Sequence, residues 1–322
     1  MRQRCRKSQK SWKVIHMKRF SALLLCAAML LSLAACGSSG APAPTDATAS
    51  ATIPTAAPTA MPTDASTEPV PSGTVSDVIQ LIDNDAVSVY ITKIEHNEHL
   101  GMQLHIQCIN KTSRPLLFSW DMVSVCGYMY DPMWAVEVAA GKTSNSTIDL
   151  DTHELELMGI PSVDETTFTL RIVDSENWME KPLVEEAFTI YPTGLNAEAL
   201  ILPQRAARSG DVVIVDNENI RFIITGFDAA ACTLHVYLEN KTDRNLMYSW
   251  DRVSVNGFMA DPFWAASVAA GKKACAEITF SRSDFEANGI TEVSDIEFSL
   301  LVSDYDDWEA DYLLEETYTY KP

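Results

Sequence analysis

The chain of 322 residues is long enough for about two domains of ordinary size, and its hydrophobic fraction of 47% is typical of a globular protein. Residues 1–35 carry eight Lys and Arg and no acidic residue, so the rest of the chain holds 16 basic against 44 acidic residues, a net charge of −28. Nucleic acid would repel so acidic a chain, which excludes nucleic-acid binding as the expected function.

Residues 1–35 are predicted to contain a short overhang followed by the signal peptide of a lipoprotein. Met17, the expected initiator, starts a basic segment that leads into an apolar run over residues 22–35. The run is shorter than the roughly 18–20 residues of a transmembrane helix, which favours a secretory signal. It ends in Leu-Ala-Ala-Cys-Gly, which resembles the lipobox of bacterial lipoproteins, in which Cys36 receives the lipid. A plain secretory signal with an incidental cysteine is the alternative.

The lipobox implies a location for the protein. Two or more acyl chains anchor a protein stably, whereas one is marginal. We therefore expect the membrane to be a partner through a lipid anchor, with the protein on the extracytoplasmic face of the cell membrane. Residues 36–75 are dominated by Ala, Thr, Ser and Pro, with seven prolines between Pro42 and Pro71. Such a composition predicts a disordered tether that holds the folded part away from the bilayer.

The rest of the chain repeats itself. Residues 103–192 align without a gap with residues 233–322, and 38 of the 90 positions are identical. A unit longer than 100 residues is a domain with its own core rather than one element of a solenoid. We therefore predict one β-sandwich repeat at residues 76–192 (the first copy), an inter-domain linker at 193–210, and a second repeat at 211–322 (the second copy).

The strands of one copy are predicted from period-two alternation. Residues 233–239 place Leu234, Val236 and Leu238 on one face, which indicates an antiparallel strand with its other face in solvent. Asn256-Gly257 between apolar strands is a strong hairpin signal, because both turn positions need positive φ. Gly289 should close a short helix over residues 284–288. Six or seven such strands favour an all-β fold of two tandem immunoglobulin-like antiparallel sandwiches, and a small open barrel is the alternative.

A group of motifs together resembles a known kind of repeat. Asn-Lys-Thr, Val-Ser-Val-Asn-Gly, Ala-Ala-Gly-Lys-Lys and Asp-Tyr-Asp-Asp-Trp of the second copy are similar to repeated Ig-like domains of unknown function in lipoproteins of Gram-positive bacteria. The resemblance covers both copies, although Cys126 of the first stands where the second has Asn256. It implies a surface location and a β-sandwich, and it implies no activity.

One acidic loop recurs at the same place in both copies, and it is the best candidate metal site. Carboxylate and amide oxygens two and three residues apart in a loop suit Ca²⁺. The alternative, which the residues favour, is an acidic turn whose side chains satisfy their own backbone, because calcium needs 6–8 ligands and fewer are visible. The candidate ligands are Asp304, Asp306 and Asp307 in the second copy, and Asp174, Glu176 and Asn177 in the first.

Six tryptophans fall at paired positions of the repeat. Trp120 and Trp250 lie inside apolar strands and are predicted to be core residues. Trp134 and Trp264 follow Asp-Pro in a loop and are the candidates for an exposed, ligand-stacking surface.

The remaining chemistry-bearing residues form no catalytic set. His105 and His235 share an outward strand position without a nucleophile or carboxylate pattern, so we interpret them as exposed strand residues. No cysteine of the mature chain is paired with another across the repeat, and a lone Cys232–Cys275 bridge stays open. We therefore expect no enzyme activity and no cofactor apart from the candidate calcium.

The function predicted from the sequence is that of a lipid-anchored extracytoplasmic surface protein. It would act as a non-enzymatic binding module or a structural envelope module, with a surface ligand, a cell-wall component or a protein as partner. A solute-binding lipoprotein of a transport system is the first alternative, although such proteins need α/β lobes that are not predicted here. An extracellular hydrolase ranks last, because no G-x-S-x-G or H-E-x-x-H motif occurs.

Overall fold

The structure is a computed structural model that describes residues 78–97, 101–307 and 309–322, which all belong to one compact unit. The predicted signal peptide, Cys36 and the tether lie outside the described residues, as does Trp308. Within the described ranges no helix is long and apolar enough to cross a membrane.

The first copy contributes nine strands and one helix to the described residues. In chain order they are β1 (Ile79–Asp83), β2 (Val87–Asn97), β3 (Gly101–Asn110), β4 (Leu116–Val125), β5 (Tyr128–Met129), β6 (Ala135–Val138), β7 (Thr143–Leu150), α1 (Thr152–Leu157), β8 (Thr166–Asp174) and β9 (Val184–Ile190).

The second copy has the same order of elements. They are β10 (Val212–Asp216), β11 (Ile220–Asp228), β12 (Thr233–Asn240), β13 (Leu246–Val255), β14 (Phe258–Met259), β15 (Ala265–Val268), β16 (Lys273–Thr279), α2 (Arg282–Ala287), β17 (Ile296–Asp304) and β18 (Leu314–Tyr320). The expectation of six or seven strands was too low, because two-residue and four-residue strands such as β14 and β15 carry too little alternation to be recognised.

The strands form three sheets. The first has the order β1-β2-β3-β7, and the third has the order β14-β13-β17-β18 with β15 also pairing β13. The second sheet has nine strands in the order β10-β11-β12-β16-β5-β4-β8-β9, with β6 also pairing β4. It therefore runs from the second copy into the first. Every pairing is antiparallel except the one between β5 and β16. The fold is all-β and immunoglobulin-like, as the alternation predicts.

The turn and cap residues behave as their chemistry requires. Asn256 and Gly257 have φ of 51° and 80°, which confirms the hairpin turn between β13 and β14. The helix α2 begins two residues before its predicted start, because Ser281 is its N-cap and accepts a hydrogen bond from the backbone of Asp284. Gly289 follows its C-cap with φ of 67°.

Each copy has an aromatic core built around one tryptophan. Trp120 stacks on Phe168 with ring centroids 3.6 Å apart, and Trp250 stacks on Phe298 at 4.0 Å. Both tryptophans are buried, which confirms the prediction made for them. The inward residues of β12 are also buried as predicted, and they belong to the second core, namely Leu234, Val236 and Leu238.

Candidate functional site

The candidate binding tryptophans turn inward rather than outward. Trp134 is buried, its Nε1 donates to Ser146 Oγ at 3.1 Å, and its ring meets Trp120 edge-to-face at 5.8 Å. Trp264 is half-buried against the second core and meets Trp250 at 5.8 Å. The expectation that both indoles expose a ring face for ligand stacking is therefore corrected.

The reason lies in the residue that precedes each tryptophan. Met133 and Phe263 have positive φ, 52° and 37°, a conformation rarely adopted by residues with such side chains. These two side chains take the exposed position in the loop, with Met133 at 86% and Phe263 at 49% exposure. Each tryptophan that follows then packs into its core.

The acidic loop of the first copy is held by its own backbone and by an arginine. Asp174 Oδ1 accepts a hydrogen bond from the Glu176 backbone at 2.9 Å, and Oδ2 accepts one from Arg114 at 2.9 Å. The backbone N–H of Asn177 donates to the Asp174 carbonyl at 3.2 Å. The bond from Glu176 is the main reason why the pKa of Asp174 is lowered.

The loop of the second copy is built in the same way. Asp304 Oδ1 accepts from the backbone of Asp306 at 3.0 Å and of Asp307 at 3.2 Å, while Oδ2 accepts from Arg244 at 3.1 Å. Asp306 in turn accepts from Asn245 at 3.2 Å. This geometry is that of the acidic turn, the alternative that the residues favoured. In the part of the chain that the structure describes, no three His, Cys, Asp or Glu side chains are grouped to hold a metal.

His105 and His235 contact glutamates, and the cysteines of the described ranges are free thiols. His105 Nε2 lies 2.6 Å from Glu95 Oε1, and His235 Nδ1 lies 3.4 Å from Glu277 Oε1, both on the sheet surface. Cys232 and Cys275 are free thiols and form no bridge. Burial raises the pKa of Cys108 to about 12, as expected for a small apolar core residue.

The site that sequence reasoning missed is the contact between the two copies. The backbone N–H of Lys273 on β16 donates to the carbonyl of Gly127 at 2.9 Å, which pairs β16 with β5 in parallel. Tyr128 on β5 is thereby only 2% exposed. Ile223 and Tyr237 of the second copy pack in the core cluster of the first copy.

Aromatic and cationic side chains line this contact. The ring centroids of Tyr128 and Tyr237 are 6.5 Å apart, and Lys273 Nζ lies 5.5 Å from the Tyr128 centroid. The Arg205 guanidinium lies 5.2 Å from the Tyr237 centroid. Asp211 accepts two hydrogen bonds from Arg205, of 2.7 and 2.5 Å, and so holds the guanidinium in place. These bonds from Arg205 lower the pKa of Asp211 to about 2.

One ion pair also joins the copies. Lys272 Nζ lies 3.3 Å from Glu165 Oε1, and the two side chains are only 18% and 10% exposed. Burial, together with a smaller contribution from the charge of Asp121 in the first copy, raises the pKa of Tyr305 to about 12. Tyr305, in the acidic loop of the second copy, therefore lies near Asp121 on β4 of the first copy.

The joining segment takes part in the contact through its apolar run. Leu202 packs half-buried against the first core, whereas Ile201 beside it is 89% exposed. Lys273 Nζ donates to Gln204 Oε1 at 2.9 Å and to the Pro203 carbonyl at 3.4 Å. Two features of the sequence could have indicated this contact. They are the apolar run in the joining segment and the neighbouring residues Lys272 and Lys273, and neither belongs to a known functional motif.

No described segment covers the matching edge of the second copy. Phe258 and Met259 on β14 correspond to Tyr128 and Met129 on β5, and β14 pairs with β13 in the same register as β5 with β4. Phe258 is nevertheless 45% exposed and Met259 is 71% exposed. The sheet order places β14 at an edge of the described part of the fold.

Comparison with known proteins adds no family. No family model matches the chain, and no curated protein matches it. A solved structure of the SafA pilin in complex with the SafB chaperone from Salmonella enterica matches with 11% identity over 75% of this chain and 98% of that chain, at a TM-score of 0.23. The CupB2 chaperone of Pseudomonas aeruginosa matches with 12% identity over 68% of this chain and 92% of its own, at a TM-score of 0.18. Red sea bream transglutaminase matches with 10% identity over 71% of this chain and 30% of its own, at 0.21. Scores this low support no conclusion about activity or partners.

Proposed function

We propose that this chain is a lipid-anchored extracytoplasmic protein whose two coupled sandwiches form a non-enzymatic structural module of the cell envelope. The observation that carries the proposal is the nine-stranded sheet that continues from one copy into the other through β5 and β16. A continuous sheet with a buried tyrosine and a largely buried ion pair at the junction holds the copies in one orientation. A module of that kind suits the transmission of position or load.

The anchor and the tether support the location. The lipobox-like residues before Cys36 and the Pro-rich residues 36–75 would place the sandwiches at a distance from the membrane. The resemblance to Ig-like domains of Gram-positive lipoproteins supports the same location on the cell surface.

The four candidate side chains that recur in both copies support a non-enzymatic role, because each has a structural partner. The carboxylates of Asp174 and Asp304 hold their own turns and an arginine each. His105 and His235 pair with glutamates on the sheet surface.

The pocket geometry favours this role over solute binding. A pocket of the second copy, lined by residues that include Phe227, Cys232, Arg282 and Phe285, has a volume of about 140 Å³. Sites for small-molecule ligands are usually about 300–1,000 Å³. The pocket is therefore smaller than the usual site for a drug-sized ligand.

The anchor can be tested in a bacterial host fed with labelled palmitate. The full chain should take up the label and partition with membranes, and Cys36→Ser should lose both. Cys26→Ser is the matched control, because Cys26 lies inside the apolar run, and it should keep both properties. Label that persists in the Cys36→Ser variant would remove the anchor from the proposal.

The structural role can be tested against solute binding by a thermal-shift screen of the mature chain with sugars, amino acids, peptides and wall fragments. A structural module should show no shift with the small solutes. A saturable rise in Tm with one small solute, abolished by Arg282→Ala in the pocket, would favour the transport alternative.

A further inference from the structure

We propose that the exposed edge strand β14 of one chain binds the edge strand β7 of a second copy of this chain. The two strands would pair in the way that β5 pairs with β16 within one chain. The proposal rests on the proposed non-enzymatic role and names the partner of the module. Its basis is a contact that the chain already makes once.

The aligned residues of the two copies show where an equivalent contact between two chains would form. Within the chain, Tyr128 on β5 pairs with Lys273 on β16. The residues at the same positions of the other copy are Phe258 on β14 and Thr143 on β7. Both β14 and β7 end their sheets in the described part of the fold, so each offers an edge that can accept a strand.

The exposed apolar surface lies on β14, the strand for which the described residues supply no partner like β16. Tyr128 is 2% exposed in the contact, whereas Phe258 is 45% exposed and Met259 beside it 71% exposed. Phe258 and Met259 thus form an exposed apolar pair on an edge strand whose outer side has no described partner, and such an edge is a template for strand pairing. Tyr128, which corresponds to Phe258, is covered by Tyr237 of the other copy.

The charges of the contact are also present at the aligned positions of the two copies. Lys272 and Glu165 form the ion pair between the copies. Lys142 and Asp295 occupy the same positions in the opposite copies, and they keep both signs. Lys142 is exposed on the β7 side and Asp295 is half-buried on the β14 side, so the second contact would regain the same pair.

The face of the first copy that would cover Phe258 predicts a contact weaker than the one within the chain. Ile223 and Tyr237, which cover Tyr128, are replaced in the first copy by Tyr90 and Gln107, which are more polar and half-buried. Less apolar area would be removed from water, so the second contact should be reversible. Chains held on one membrane would form it more readily than chains in dilute solution.

The contact joins two different faces, so it does not close on itself. Repetition of such a head-to-tail interface gives rows of chains rather than a symmetric dimer. A row would alternate the tight contact within each chain with the weaker contact between chains.

The first test is sedimentation equilibrium of the mature chain from residue 37 onward, which keeps the whole described fold, from about 1 μM to about 1 mM at physiological salt. The average mass should rise with concentration past that of a dimer. A mass that stays at one chain throughout, or that stops at two, would overturn the proposal.

Variants of exposed residues identify the surface without threatening the fold. Phe258→Ser should weaken association at least about tenfold, as expected for the loss of a buried phenylalanine. Met133→Ser is the matched control, because Met133 is 86% exposed and lies outside β5 and β14, and it should leave association unchanged. Equal effects of the two variants would show unspecific stickiness and would contradict the proposal.

A charge exchange tests the pairing itself. Lys142→Glu and Asp295→Lys should each weaken association, and the chain with both substitutions should regain it. A double variant as weak as the single ones would exclude the pair and the register that it implies.

Disulfide trapping tests the orientation, in a Cys275→Ser background because Cys275 is the exposed thiol among the described residues. A Phe258→Cys chain mixed with a differently tagged Thr143→Cys chain should give the mixed dimer. Dimers of Phe258→Cys with itself would indicate a symmetric contact and would overturn the head-to-tail arrangement. A single-chain mass combined with a cross-link from residue 258 to another envelope protein in cells would replace the second copy by that protein.

The outcomes for the two proposals are separable. The mature chain from residue 37 has no lipid, so its self-association is measured independently of anchoring. Loss of the palmitate result would leave this contact intact, and a single-chain mass would leave the anchor and the structural module intact.

Discussion

Tyr128 and Phe258 occupy the same position of the repeated sequence, yet Tyr128 is 2% exposed and Phe258 is 45% exposed. The difference arises because β16 and the linker cover the first and no described segment covers the second.

This pair gives the first prediction. Tyr128→Ala should lower the free energy of unfolding by about 3–5 kcal/mol, since it leaves a large cavity between the copies. Phe258→Ala, at the matching position, should change the stability of dilute protein by less than about 1 kcal/mol. Urea denaturation followed by tryptophan fluorescence measures both. Similar losses in the two variants would contradict the different roles assigned to these side chains.

The ion pair between the copies gives the second prediction. Lys272→Met or Glu165→Met should each cost about 1–3 kcal/mol, because each leaves its partner's charge largely buried without its counter-ion. The double variant should cost less than the sum of the two. Lys142→Met, the exposed counterpart, should stay within about 0.5 kcal/mol of the parent. Additive losses would show that the two charges do not interact.

The pH dependence of stability gives the third prediction. Arg205 lowers the pKa of Asp211 to about 2, and Arg221, followed by a second cation, lowers that of Asp216 to about 2, from 3.8. A carboxyl with a lower pKa in the folded chain stabilises it above the unfolded value and loses that effect as the pH falls through the folded value. We expect the free energy of unfolding to decrease between the unfolded value of 3.8 and the folded value of about 2. Denaturation at several pH values should show a smaller decrease for Asp211→Asn.

The acidic turns give the fourth prediction. Asp174→Ala and Asp304→Ala should each lower the free energy of unfolding by about 1–2 kcal/mol, since each removes turn bonds and an arginine partner. Millimolar Ca²⁺ should leave the Tm of the parent unchanged. A calcium-dependent rise in Tm that Asp304→Ala abolishes would establish the calcium site instead.

The local part of the fold could be predicted from the sequence because it depends on neighbouring residues. Alternation in β12 predicted which residues face the core, and the Asn256-Gly257 pair predicted a hairpin turn. Trp120 and Trp250 were assigned to the core because apolar residues surround them. Each of these conclusions needed only the strand itself and its immediate turn.

The site could not be predicted in the same way, because it depends on residues far apart in the chain. Alternation placed Tyr237 on the solvent face of β12, and it does point away from its own core. It is only 4% exposed because the first copy covers it. Likewise, the inward turn of Trp264 depends on positive φ at Phe263, which no residue preference announces.

The buried position of Tyr237 and Ile223 has a consequence for how the two copies have diverged. A gene fragment encoding the second copy alone would yield a protein with an apolar patch open to water, and one encoding the first copy alone would leave Tyr128 uncovered. Exchange of the two halves in the gene would set Phe258 against Tyr90 and Gln107, a poorer match. The two copies are therefore not equivalent at this contact, and their order along the chain determines which aromatic side chain is buried.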